Sequence, residues 1–113
     1  MAATNRTDLA RGVFEAFAAG DRDRIESLLA PSLRFHAPPD PDLDRAEYFE
    51  RCWPGSGSGI TFDFARIIES GDEVVVTYDA TRIDASRFRN TEVLTFERGQ
   101  VVEIEVYFGW NLA

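Results

Sequence analysis

Glu92 is the residue of this chain with the most chemistry to offer. It lies in Arg89-Asn90-Thr91-Glu92-Val93-Leu94-Thr95-Phe96, where strand alternation puts it on one face with Leu94 and Phe96. A carboxylate on an apolar face is costly unless paired or protonated, so the position marks a candidate site. In an apolar pocket its pKa rises, making it a general acid or hydrogen-bond donor near neutral pH. Arg82, on the preceding strand with matching parity, offers another arrangement: a buried ion pair that keeps Glu92 ionised, as a structural pair or as a base.

A second proton carrier has two candidates. His36 is the only histidine and the only side chain with an ordinary pKa near neutrality. As a strand neighbour of Ala37 it faces away from residue 37, which suits a strand-edge role as well as catalysis. Asp40, Asp42 and Asp44 follow in a proline-rich stretch; Asp40 is placed to act, whereas Asp44 reads as a helix cap. Their spacing does not match a calcium loop, and one histidine cannot build a zinc site, so no metal is expected.

Other chemistries find no support. All 12 basic residues are arginine, which excludes lysine Schiff bases. Cys52 reads as a small buried hydrophobe without a base beside it. The serines lack a nucleophile elbow, and no glycine-rich phosphate loop follows a strand, so no cofactor is expected. A net charge of −8 argues against nucleic acid and anionic membrane as partners. No stretch is long enough to span a bilayer, and the start shows no signal-peptide pattern, so the expected location is cytoplasmic.

The elements that must position these groups follow from periodicity. The chain, 113 residues long, suits one domain (1–113), with 1–6 as a frayed terminus. Leu9, Val13 and Phe17 recur at helical spacing and predict a helix over 7–19, capped by Thr7 or Asp8 and left through Gly20. Asp21 caps a second helix with Ile25, Leu28 and Leu29 on its apolar face, ended by Pro31. A short strand over 33–37 leads into 38–42, where the prolines predict a stiff loop that is neither helix nor central strand. Asp44-Arg45-Ala46-Glu47 is a capping-box pattern opening a third helix to about Trp53. After a flexible loop over 54–59, strands are predicted over 60–69 and 73–83. A terminal hairpin follows, 89–96 and 100–110, joined by Glu97-Arg98-Gly99. Along its second arm, Val102, Ile104, Val106 and Phe108 share one face, and Glu103, Glu105 and Tyr107 the other. Helices followed by a curved, mostly antiparallel sheet make an α+β fold, with a gap between the layers that can hold a ligand. Tyr48, Phe49, Trp53 and Trp110 serve either as the rim of that gap or as ordinary aromatic core.

Several short segments occur in a telling order: Ala18-Ala19-Gly20-Asp21, Phe35-His36-Ala37-Pro38, Gly99-Gln100-Val101-Val102 and Tyr107-Phe108-Gly109. In this order and spacing the chain, from about residue 7 to 112, resembles the nuclear transport factor 2-like superfamily. That group includes ketosteroid isomerases, polyketide cyclases, limonene epoxide hydrolase and non-catalytic binders. The resemblance implies a sheet rolled into a cone-shaped half-barrel around the N-terminal helices, with an internal pocket. Bacterial ketosteroid isomerases use an aspartate base, a tyrosine donor and a protonated aspartic acid. Carried over, the base falls on Ala37, the tyrosine on Val13 and the acid on Glu92, so the pocket is implied but not that isomerase machinery. The same alignment puts Val76, Tyr78, Ala80 and Arg82 on the pocket face of the middle strand, and Ile104, Val106 and Phe108 on that of the last. Leu94 joins them from its strand, Val13 and Phe17 from the first helix, and Phe49 and Trp53 from the third.

The expected activity is cofactor-free proton transfer, of isomerase, cyclase or dehydratase type, on an apolar carbonyl or polycyclic molecule. Glu92 is the acid or base, Arg82 its partner or an oxyanion stabiliser, Tyr78 a donor, and His36 or Asp40 the second carrier. The alternative is a non-catalytic small-molecule binder or structural dimer module. Epoxide hydrolysis ranks lower because it needs two aspartates around an arginine. The resemblance also implies a homodimer through the outer sheet face around Glu103, Glu105 and Tyr107.

Overall fold

The structure, a computed structural model, describes residues 5–113. Its elements run α1 (Arg6–Ala19), α2 (Arg22–Leu28), β1 (Leu29–Ala37), β2 (Asp40–Asp44), α3 (Arg45–Arg51), a 3-10 turn (Trp53–Gly55), β3 (Thr61–Ser70), β4 (Glu73–Thr81), β5 (Arg87–Glu97) and β6 (Gln100–Leu112). The strands form one sheet of six in the order β2-β1-β6-β5-β4-β3, antiparallel throughout except where β1 runs alongside β6. Helices on one face of a mostly antiparallel sheet is the expected α+β arrangement. Of the stretch expected to fray, residues 1–4 lie outside the described residues, while Arg6 is helical and bonds Glu69 at 3.2 Å.

Side-chain chemistry sets the helix limits. The α1 cap is Asn5 rather than Thr7 or Asp8; its side chain accepts from the Asp8 N–H. At the other end Gly20 adopts φ 68°, and the Gly20 and Asp21 amides bond back to Phe17 and Ala16, closing the helix in a left-handed turn. Asp21 then caps α2, and Asp44 and Glu47 form the expected capping box on α3.

Two proline readings are corrected. Pro31 does not end α2: the helix stops at Leu28, and Pro31 lies exposed inside β1. β2 pairs with β1 only from Arg34 onward, so Pro31 leaves no ladder bond unmade on that side. The stretch over 38–42 is not all loop. Pro38 and Pro39 make the turn, and Asp40–Asp44 returns as an edge strand, where Pro41 is tolerated.

The inward faces of α1, α2 and the sheet meet in a core containing Ala10, Phe14, Ala16, Ile25, Leu33, Val74, Val76, Leu94, Phe96 and Ile104. Interruptions of register bend the sheet around it. Ala65 is the extra residue where Phe64 and Arg66 oppose Tyr78 and Thr77. Val102 is another, since Thr95 and Phe96 oppose Glu103 and Val101. That bulge corrects the predicted facing: Val101, not Val102, joins the core below Ile104. The hairpin turn itself follows its residues, with Arg98 at φ 53° and Gly99 at φ 77°, as a two-residue turn of that hand requires.

A third irregularity sits near the end of β6, where Phe88 and Asn90 oppose Asn111 and Phe108. Gly109 lies so close to β5 that a Cβ there would stand 2.2 Å from the Arg89 carbonyl oxygen. Gly109→Ala should therefore push the two strands apart and lower stability by on the order of 2 kcal/mol, read by urea unfolding. An unchanged midpoint would show that the bulge is not held as described.

Candidate active site

A cavity of about 280 Å³ opens between α1, α3 and the concave face of the sheet. That is at the small end of ligand pockets, which start at roughly 300 Å³. α1 contributes Val13, Phe14 and Phe17 from one helical face. β5 contributes Phe88, Asn90 and Glu92, and β6 contributes Ile104, Val106 and Phe108, each set at the two-residue period of a strand. Tyr78 comes from β4, Phe35 and Ala37 from β1, and Tyr48 and Cys52 from the α3 segment.

Glu92 is the one carboxyl among aromatic and aliphatic walls, with Asp40 as the other acid, farther out at the mouth. The Glu92 Oε2 accepts a hydrogen bond from the Tyr78 hydroxyl at 2.6 Å. Loss of water pushes the Glu92 pKa up to about 7, against which the Tyr78 hydrogen bond pulls down. Tyr78 is held in turn. Its ring meets Phe62 edge-on at 5.2 Å and Phe14 at 5.0 Å, and its oxygen accepts from the Asn90 amide at 3.4 Å. Asn90 is anchored by the Gly109 N–H, which donates to its Oδ1 at 3.3 Å. A relay therefore runs from the β6 bulge to the carboxyl. Burial, then the Glu92 charge, push the Tyr78 phenol upward, and the same causes act on buried Tyr48; both remain hydroxyl donors at any ordinary pH. Cys52 is pushed up to about 11, first by burial, which keeps it a thiol. Among the described residues no three His, Cys, Asp or Glu side chains gather as a metal site. No described helix is long and apolar enough to cross a membrane.

This cone with an acid inside can be set against known proteins. The sequence model of the SnoaL-like domain matches residues 10–104. The chain belongs to the SnoaL-like domain family. Its fold is shared by an NTF2-like protein of unknown function from Cytophaga hutchinsonii (17% identity, 96% of this chain and 95% of that one, TM-score 0.77). It is shared too by a proposed ketosteroid isomerase from Kribbella flavida (20%, 93% and 78%, TM-score 0.79). A third is IdmH, a proposed polyketide cyclase from Streptomyces antibioticus (21%, 90% and 91%, TM-score 0.71). At such identities the likeness shows the fold alone. No curated protein matches the chain.

In this SnoaL-like domain the expected site residues separate into groups. Glu92 and Tyr78 meet in the cavity, and Val13, Phe17, Ile104, Val106 and Phe108 line it. Val76, Ala80 and Leu94 are fully buried beneath its wall instead of facing it. Phe49 and Trp53 stand outside: Phe49 is covered by the Arg22 guanidinium at 3.8 Å, and Trp53 packs edge-on against Phe17 and Phe49. Arg82 does not reach Glu92. β4 ends at Thr81, so the strand parity assigned to Arg82 does not apply; its backbone turns toward Ser86 and its guanidinium lies 4.2 Å over Phe88. No arginine lines the cavity, so the aspartate–arginine trio of an epoxide hydrolase is missing there.

His36 lies on the outer sheet face, as alternation requires with Ala37 facing in. Its Nδ1 meets the Pro41 carbonyl at 2.6 Å and its Nε2 meets Glu103 at 3.0 Å. The Pro41 carbonyl first, then Glu103, raise its pKa. His36 is thus a clamp between β2 and β6 rather than a carrier into the cavity. Asp40 does stand at the cavity mouth, paired with Arg51 at 3.3 Å.

Two polar residues were not among the expected site residues. Asn90 shares a strand face with Glu92 at a spacing of two, and that parity was the available signal. Tyr48, expected as rim or aromatic core, lines the cavity from α3 while remaining buried.

Glu92 also makes stability depend on pH. The folded protein holds this proton more tightly than the unfolded chain, whose glutamate titrates near 4.5. Its contribution is intact below about pH 4 and is lost as pH rises toward 7. Glu92→Gln should therefore match the parent near pH 4 and exceed it by on the order of 2–3 kcal/mol near pH 8, measured by urea unfolding. A stability difference that does not change with pH would contradict the assignment.

Proposed function

We propose that this SnoaL-like domain is a cofactor-free enzyme that moves a proton on a small apolar carbonyl compound, as an isomerase, cyclase or dehydratase does. The observation that carries the reading is the position of Glu92: a carboxyl among the apolar walls of the cavity, held by the Tyr78 hydroxyl and without a cationic partner, with burial pushing its pKa up to about 7. A group so poised is available in both forms at neutral pH, which suits general acid–base work.

In the isomerase version, ionised Glu92 takes a proton from the carbon beside the carbonyl. The C–H bond breaks, an O–H bond forms on Glu92, and the electron pair moves to the carbonyl oxygen as an enolate. Return of the same proton to another carbon completes the rearrangement with no redox change. The neutral Tyr48 phenol is the donor assigned to the enolate oxygen, because Tyr78 already spends its proton on Glu92. The apolar walls keep water from quenching the intermediate. Asp40, at the mouth, is the second carrier for cyclase or dehydratase variants of the reaction.

The alternative, a non-catalytic binder of the same fold, is favoured by Val13 and Ala37, which stand where isomerases carry a tyrosine and a base. A homodimer through the outer sheet face remains part of the proposal. Tyr107 is exposed there and bonds Glu105 at 3.2 Å, while Glu103 is occupied by His36.

The test is conversion of a β,γ-unsaturated bicyclic ketone to its conjugated enone, followed by ultraviolet absorbance. The rate should rise with pH through about 7 as Glu92 ionises. Glu92→Gln should lower kcat by at least roughly a hundredfold. A Glu92→Gln protein with the parent rate would overturn the enzyme reading.

A further inference from the structure

The cavity does not end at its mouth. Phe88, Asn90 and Phe108 line both the cavity and a second depression that continues along the outer ends of β5 and β6. That groove adds Arg82, Gly109, Trp110 and Asn111. Phe108 is 58% exposed, so its ring gives that wall an open aromatic face. Its only charged lining residue is Arg82, stacked on Phe88.

Arg82 is the cation that this groove presents. In a chain of net charge −8, several arginines find carboxylates: Arg89 grips Asp79 at 2.6 and 3.2 Å, Arg51 takes Asp40 and Arg34 takes Asp42. Among the described residues Arg82 has no such ion pair. Asp84, near enough to feel its charge, is turned to the Ser86 amide and hydroxyl at 2.9 and 2.6 Å. The stack on Phe88 directs the guanidinium while leaving its N–H edge free to bind an anion. A strongly acidic surface repels anionic ligands at long range, so a cation at the mouth offsets that repulsion locally.

We propose that the ligand is an anionic amphiphile: an apolar ring body in the cavity beside Glu92, and a carboxylate or other acidic group on a tether, bound by Arg82 along the groove. This rests on the reading of the cavity as the substrate site and names the substrate class. The tether follows from spacing. The Arg82 guanidinium rests over Phe88, four residues before Glu92 on the same face of β5, or about 13 Å along the strand. A compact ring system alone cannot touch both. Asn111, the strand partner of Phe88, flanks the tether's path, while the Trp110 ring lies near Arg89 on the other face of the sheet.

The test uses 2-naphthylalkanoates with tethers of about four to eight carbons, chosen to fit this span, and their primary amides, with affinity measured by calorimetry. The acids should bind roughly tenfold more tightly than the amides, a charge-assisted bond's worth. The preference should be greatest at one tether length and weaken with added salt. Arg82→Gln should bring each acid down to its amide, while Glu92→Gln should keep the acid–amide difference. Equal affinity of acid and amide for the parent protein, or a preference that survives Arg82→Gln, would overturn the proposal with the cavity reading intact. Binding of neither probe would instead overturn the cavity reading and this proposal together. A sedimentation change with Arg82→Gln, without loss of the acid preference, would reassign the groove as a contact between copies of the chain.

Discussion

A carboxyl group lining an apolar cavity, with a phenol for its one hydrogen bond, is the constraint on which the rest of this structure turns. Glu92 gives up water on entering the cavity and receives only the Tyr78 hydroxyl in return. Without a cation beside it, the group meets the cost of burial by holding its proton more tightly. The balance depends on Tyr78 staying where it is, and two features hold it: the Phe14 and Phe62 rings, and the Asn90 amide, itself held by the Gly109 N–H. Local backbone irregularity at the end of β6 is thereby connected to protonation at the centre of the cavity.

The sheet's curvature serves the same end. A flat sheet would lie directly on α1 and leave no space over Glu92. The extra residues at Ala65 and Val102 bend β3 and β6, and the outer ends of the strands lift away from the helix. Core residues below the bend, Val76 and Leu94 among them, close the floor with no exposure, so the cavity is sealed on that side and continuous with the groove on the other. The family's fold supplies a container; in this chain the chemistry comes from one acid, its phenol and the rim.

Much of this was legible in the residues. Alternation grouped Ile104, Val106 and Phe108 on one face and Glu92 with Leu94 and Phe96, because strand period survives any fold, and the family resemblance turned those faces inward. The capping box at Asp44 and the exit at Gly20 were equally readable, being local hydrogen-bond chemistry. What failed was non-local. Pro31 and Pro41 look like breakers until the pairing shows that neither had a ladder bond to lose. Val102 was assigned inward because a bulge removes one step of parity, which no single strand reveals. Arg82 was paired with Glu92 on a parity that ends where β4 ends, one residue short of it. Whether Tyr48 was cavity wall or core stayed open for a simpler reason: it depends on how α3 docks, and that is set by residues far away in the chain.

The most direct test of this account is the carboxyl pKa of Glu92 itself, followed by carbon-13 NMR of protein labelled at glutamate and assigned with the Glu92→Gln variant. The structure calls for a midpoint near 7, from burial opposed by one phenol. A midpoint at the ordinary 4.5 would mean that the group is solvated or paired with a cation, and the account of the cavity would be wrong.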